Sequence, residues 1–298
     1  MKRKINRVGP STLTVSLPSK WAKNLGLKAG NEIEVEERAN SLVVSNAKSP
    51  EKKEMTIHIP SADRFLKRIL ATPYMKGYDS IKVTYDDPKI YTQVQETINT
   101  LLIGFEIVHH DRNTCILKNI ADSIDDEYDQ NQRKYFLQVK TVIHQLIDAL
   151  EKQDEQELEH VLLLDQTIDK LHVFMRRILN TKGYKDDTKG KSLYYIINLL
   201  ETISDRCRDI ARRIKETKTY PSQNFIELLK LIEKNIEFYY DLFYNPKNEK
   251  FFEIKQREEM MLHKIIEQTK NQKPSDFLYY HCLLAIAELM HNLSEEMG

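Results

Sequence analysis

The chain has 298 residues, 41% of them hydrophobic, and its 45 Lys and Arg balance 45 Asp and Glu. That suffices for two or three packed domains and excludes a disordered polyelectrolyte. No stretch reaches the roughly 20 apolar residues of a membrane span, and no apolar run of a secretory signal follows Met1-Lys2-Arg3-Lys4. Cys115, Cys207 and Cys282 lie far apart without a CxxC. Neither a disulfide framework nor a thiolate zinc site is expected, and the usage fits a reducing cytoplasm.

Net neutrality conceals an asymmetry. Residues 1–30 carry Lys2, Arg3, Lys4, Arg7, Lys20, Lys23 and Lys28 and no acid. Asp122, Asp125, Asp126, Glu127 and Asp129 form an acidic run without a base. The first segment is therefore expected to meet an anion that the remainder avoids, against the plainer reading of solvated surface.

In chain order, Ile5–Pro10 leads into the alternating strand Thr12–Leu17, then a short helix over 18–25 that Gly26 ends. Glu32–Glu36 and Ser41–Val44 are the next strands. Four short strands and one helical turn cannot close a core alone, so pairing with a second copy is expected. The string Val8-Gly9-Pro10-Ser11-Thr12-Leu13-Thr14-Val15-Ser16-Leu17-Pro18-Ser19-Lys20-Trp21, with Leu25-Gly26-Leu27-Lys28-Ala29-Gly30-Asn31-Glu32-Ile33, resembles the AbrB/SpoVT family. Asn31 stands where that family often has Asp. The resemblance implies a swapped-hairpin β-barrel dimer over 1–47, binding DNA through Lys2, Arg3, Lys4 and Arg7 and secondarily through Lys20 and Lys23.

The second segment, 55–120, reads as βαβαββ, a small α+β unit of unknown ligand. Strands are expected at 56–59, 80–85, 105–109 and 114–118, and helices at 61–70, with Ser61 as cap, and 89–102. His109-His110 is adjacent rather than spaced i,i+4, which reads as a solvated hairpin end.

Beyond Gln132 the apolar period becomes helical. Breaks near Lys152-Gln153-Asp154 and Lys182-Gly183-Tyr184 give three helices, and Gln223–Tyr244, Asn248–Gln268 and Ser275–Met297 give three more. The region 128–298 thus reads as two three-helix repeats, 128–217 and 222–298. The fold class is multidomain: an N-terminal β unit, a small α+β middle and an all-α remainder. Consecutive aromatics such as Tyr239-Tyr240 and Tyr279-Tyr280 are not expected to be buried equally, since one helical face cannot take both.

Four i,i+4 pairs stand out on these helices: Asp165/Asp169, Glu201/Asp205, Glu259/His263 and Glu288/Asn292. Each puts its side chains on one helical face about 6 Å apart, and like carboxylates so placed repel unless a cation or base intervenes. Exposed acidic pairs also arise by chance in so charged a chain. The lines VLLLDQTIDKL and LLETISDRCRDIARRI resemble the E(D)xxxD helices of the PhoU family. The resemblance implies metal ligands at Asp165, Asp169, Glu201 and Asp205 for divalent or trivalent Fe, Zn, Mg or Mn. A weaker second set would be Glu259, His263, Glu288 and Asn292, where His and Asn replace carboxylates.

No segment offers a nucleophile and base in a recognisable local context, so no enzyme is expected. The joined resemblances look like regulators seen in archaea and imply a cytoplasmic, DNA-binding regulator of phosphate homeostasis. The alternative is an adaptor that dimerises through the barrel without DNA and docks on a phosphate transporter or signalling protein.

Overall fold

A computed structural model describes residues 1–38, 41–46, 52–61, 65–121, 128–270, 272 and 276–297. The expected acids Asp122, Asp125, Asp126 and Glu127, the helix-opening residues 62–64, and Pro274 with Ser275 lie outside the described residues. The chain divides into two compact units, Met1–Glu51 and Lys52–Gly298.

The first unit holds two antiparallel hairpins and a short helix. Strands β1 (Ile5–Val8) and β2 (Thr12–Val15) pair with Ile5 opposite Val15, then α1 (Ser19–Asn24) follows. Strands β3 (Ile33–Arg38) and β4 (Ser41–Asn46) pair with Val35 opposite Val44. No described residue of this unit is buried. Ile5 and Leu13 are 68% and 64% exposed, and Val8, Val15, Val35 and Leu42 are exposed with them. A strand pattern with no core beneath it is a fold awaiting a partner surface.

The second unit begins with a four-stranded sheet. Strand β5 (Glu54–Ile59) pairs in parallel with β6 (Ser80–Tyr85) through the crossover helix α2 (Leu66–Met75). Helix α3 (Lys89–Leu101) leads to the antiparallel hairpin β7 (Phe105–Asp111) and β8 (Thr114–Asn119). The order is β5-β6-β8-β7. Ile81, Val83, Tyr85, Cys115 and Leu117 point from the strands into a core closed by Leu70, Tyr74, Ile90 and Val94 of the helices. Helix α2 begins later than the Ser61 signal places it and runs through Pro73 to Met75.

Six long helices follow: α4 (Tyr128–Lys152), α5 (Glu155–Thr181), α6 (Asp187–Thr217), α7 (Gln223–Tyr244), α8 (Asn248–Thr269) and α9 (Phe277–Glu295). Asp154 and Asp186 cap α5 and α6, each carboxylate accepting two backbone N–H groups of the first turn. Helices α4–α6 pack on one another, as do α7–α9, and the two trios join through α4–α7 and α6–α9 over one continuous core. Tyr279 and Tyr280 are both fully buried, contrary to the sequence expectation. The reason is that α9 packs against α6, α7 and α8 at once, so more than one of its faces is covered. Among the described residues no helix is long and apolar enough to cross a membrane.

The sheet domain and the helices form one unit because α2 and α3 pack on α5. Val173 of α5 belongs to the sheet domain's core. Buried Arg177 donates to the carbonyls of Tyr74 and Tyr78, each at 2.8 Å, and to Asp79 at 3.1 Å. Its guanidinium also lies over the rings of Tyr74 and Phe105. Gly77, at φ +79°, closes α2 where a Cβ would collide with Thr181 of α5. Arg177→Met removes a buried charged donor from two carbonyls and a carboxylate and is expected to cost about 3 kcal/mol. Denaturant unfolding checks this, and a loss below about 0.5 kcal/mol, the size of an ordinary surface substitution, would show the contact to be incidental.

Candidate metal centre and basic arms

Antiparallel α5 and α6 meet along a seam of polar side chains. Helix α5 presents Asp165, Asp169, His172 and Arg176, while α6 presents Asp205, Glu201, Asn198 and Tyr194 in the matching order. Steps of three and four residues keep all of them on the facing stripes. At one end the Arg176 guanidinium donates to the Tyr194 hydroxyl at 2.6 Å. Next, His172 Nε2 meets Asn198 Oδ1 at 3.2 Å. Burial first, then the charge of Arg176, pushes the His172 imidazole down to about 4, so it is neutral near pH 7.

The other end holds the carboxylates. Asp165, Asp169 and Asp205 bring one oxygen each within 4.8 Å of one another, the only such group of three or more His, Cys, Asp or Glu among the described residues. Asp165 is buried and accepts from Ser204 Oγ at 2.8 Å and from Arg208 Nη1 at 3.1 Å. Arg208 also pairs with Asp205 and, through Nη2, with Asp209 at 3.2 Å. Glu201 stays outside the close trio, its Oε2 accepting from Thr202 at 3.4 Å, but it shares the same field. Beneath them lies Tyr135 of α4, fully buried, its hydroxyl donating to the Ile197 carbonyl at 3.0 Å.

One guanidinium does not neutralise four carboxylates. Burial, then the neighbouring Asp165 and Asp205, pushes Asp169 up to about 7 despite Arg208 and Lys67. Burial, then Asp205, Asp169 and Asp165, brings Glu201 to about 7 as well. Asp205 is raised by burial in the same direction. The donor set is all oxygen, which suits hard cations such as Mg, Mn or Fe. Cys207 lies in the same field, but burial holds its thiol protonated, so it brings no soft thiolate. These residues fit a hard ion provided Arg208 turns from Asp165 and Asp205 toward Asp209.

The second set behaves differently. Glu259, His263 and Glu288 are exposed and Asn292 is half-buried. The buried stripe of α8 runs Ile254, Glu258, Met261, Ile265, which turns Glu258 inward and leaves Glu259 and His263 off the packed face. Glu258 accepts from the Tyr239 hydroxyl at 2.5 Å, from His291 Nδ1 at 2.9 Å and from Lys255 at 3.3 Å. Burial favours its proton, but the hydrogen bonds of Tyr239, His291 and Ser294 outweigh burial and hold it below the usual glutamate value. A carboxylate so satisfied makes no demand for an ion. Of the expected second set, Glu259, His263 and Glu288 thus lie off the packed face; the inward acid, Glu258, is one residue away and already partnered.

Lys2, Arg3, Lys4, Arg7, Lys20, Lys23 and Lys28 of the first unit are exposed. Lys2, Arg3 and Lys4 precede β1, Arg7 lies within it, and Lys20 and Lys23 ride on α1. Arg3 donates to Ser16 Oγ at 3.3 Å.

Residues 133–214, from α4 to the end of α6, match the family model of the PhoU domain. The first helical bundle is thus similar to a PhoU domain. Residues 7–54 match the model described as antidote-toxin recognition MazE, bacterial antitoxin. Among solved structures, the chain is similar to the phosphate transport system regulatory protein PhoU from Streptococcus pneumoniae, at 17% identity and a TM-score of 0.46, over 57% of this chain and 91% of that one. It is also similar to a putative PhoU-like phosphate regulatory protein from Shewanella oneidensis MR-1, at 10% identity and a TM-score of 0.35, over 56% and 95% of the two chains. No curated protein matches the chain. His172, Asn198, Ser204 and Arg208 escaped the sequence reading, although His172 continues the Asp165/Asp169 stripe at the helical step.

The raised carboxyls set a pH dependence. Asp169 and Glu201 release their protons from ordinary values of 3.8 and 4.5 in the unfolded chain but near 7 in the folded, metal-free one. Their contribution to stability is therefore full below pH 4 and is lost as pH rises through about 7. Asp169→Asn/Glu201→Gln is expected to flatten the fall in Tm between those limits and to raise Tm above it, by calorimetry in chelator. An unchanged slope would contradict the shared-field reading.

Proposed function

We propose that this protein is a cytoplasmic, DNA-binding regulator of phosphate uptake or homeostasis whose PhoU domain responds to a hard metal ion. The observation that carries the reading is the division of chemistry within one chain. An antitoxin-like unit exposes Lys2, Arg3, Lys4, Arg7, Lys20 and Lys23 and buries none of its described residues, while the PhoU-like bundle concentrates unneutralised carboxylates in its α5–α6 seam. Pairing of two copies through the exposed faces of Ile5, Leu13, Val35 and Leu42 would double the cationic arms, and Lys2, Arg3, Lys4 and Arg7 would supply the main phosphate contacts. Asp165, Asp169 and Asp205, with Glu201 alongside, would hold the ion, which supplies the positive charge that the seam lacks. The reading is of a regulator, not a catalyst.

The adaptor alternative rests on the same exposed apolar strands, which call for a protein surface whether or not DNA is bound. MazE antitoxins are named for recognising a toxin, so that unit also serves protein recognition elsewhere.

Fluorescence anisotropy against duplex DNA at increasing salt separates the two. About six phosphates neutralised per dimer give a log–log slope near −5. Replacing Lys2, Arg3, Lys4 and Arg7 by Ala is expected to remove most of that slope. Absence of binding to any genomic duplex at ~50 mM salt leaves the adaptor standing.

A further inference from the structure

The middle domain carries a groove that neither reading uses. It runs between helix α3 and strand β7, with a volume of about 310 Å³. Its helical wall is Tyr91, Gln95, Ile98 and Asn99, a single face at steps of four, three and one. Its other wall is the outer side of β7 from Glu106 to His110. Because β7 ends the sheet order β5-β6-β8-β7, it bonds β8 on one side only. Its other edge carries backbone N–H and C=O groups that no described strand pairs.

A bulge shapes the strand. Ile107 faces Leu117 and His109 faces Ile116, so Val108 is the extra residue. Plain alternation would put Ile107 and His109 on one face and His110 on the other. The bulge instead sets His110 opposite Cys115, a core-facing position, and its ring stacks on Tyr91 at 3.7 Å. His109 turns the other way, to Asp111 at 3.2 Å. The bulge thereby builds the aromatic end of the groove.

We propose that this groove binds an extended peptide segment of a partner protein, added as a strand to β7 with a basic side chain at the Glu106 end. Three features select that occupant. Unpaired edge groups are satisfied by another extended backbone, the mode of strand addition. The β7 wall spans five residues, about 16 Å at strand rise, and the helical wall nine residues, about 14 Å, which suits four or five ligand residues. Charge complements as well: Glu106 is exposed with no ion pair among the described residues, while the amides of Gln95 and Asn99 are hydrogen-bonding and uncharged. The inference goes beyond the DNA and cation readings, and each can fail alone.

The test uses the full-length protein and a fluorescein-labelled hexapeptide, Thr-Val-Lys-Val-Thr-Val, followed by anisotropy. Its comparators are the same sequence with Glu for Lys, and the Lys peptide N-methylated at alternate backbone positions. The expected result is saturable binding of the Lys peptide, at least tenfold weaker for both comparators. Glu106→Lys is expected to reverse the Lys-over-Glu preference, and Tyr91→Ala to weaken binding several-fold; circular dichroism confirms that both fold. Absence of binding at ~1 mM peptide, a concentration that would reveal even weak association, would overturn the proposal. So would equal binding of the N-methylated peptide, or a groove that takes free amino acids or nucleotides and no peptide.

Discussion

The constraint that organises the helical region is electrostatic. Two antiparallel helices bring Asp165, Asp169, Glu201 and Asp205 into a partly dry seam where Arg208 pairs with Asp165 and Asp205. Such a group lowers its cost by holding protons, by recruiting a cation, or by borrowing basic side chains. The seam shows the first and third of these at once: Asp169 and Glu201 keep protons up to about 7, and Arg208 is shared among Asp165, Asp205 and Asp209. Burial opposes the Arg208 charge, but the three aspartates outweigh it and keep the guanidinium cationic.

The same helix α5 faces two ways. One stripe carries the carboxylates and the neutral His172–Asn198 pair; an adjacent stripe carries Lys170, Val173, Arg177 and Asn180, which hold the sheet domain. Lys67 of α2 contributes to the field at Asp169, so the sheet domain stands close enough to feel the cluster's charge. The seam and the contacts that hold the middle domain thus share one helix. The second trio lacks this tension, since Glu258 is satisfied by Tyr239, His291 and Lys255 within its own helices.

Much of this was legible before any coordinates. The helix breaks at Lys152-Gln153-Asp154 and Lys182-Gly183-Tyr184 fall where α5 begins and ends, because Asp154 caps its start and Gly183, at φ +72°, follows its end. The pairs at Asp165 and Glu201 were visible because both lie in strongly periodic helices. The second set misled because an i,i+4 spacing does not say which face is inward. Only the apolar stripe Ile254, Met261, Ile265 does, and Glu258 sits in it. The bulge at Val108 and the reach of Arg177 to the end of α2 are tertiary facts, set by strand pairing and domain packing that no local pattern encodes. The helix expected over 61–70 overlaps α2 at 66–70, and α2 continues through Pro73, which lies in its last turn and is buried against its domain.

The central claim is that the α5–α6 seam is short of positive charge and takes a hard cation to make up the difference. Thermal unfolding of chelator-treated protein, titrated with Mn²⁺ or Mg²⁺ at pH 7.5, tests it most directly. The account predicts a concentration-dependent rise in Tm, equivalent to about 2.7 kcal/mol at a hundred times Kd, that disappears in Asp165→Asn/Asp205→Asn. No rise with either ion, or an equal rise in that variant, would contradict it.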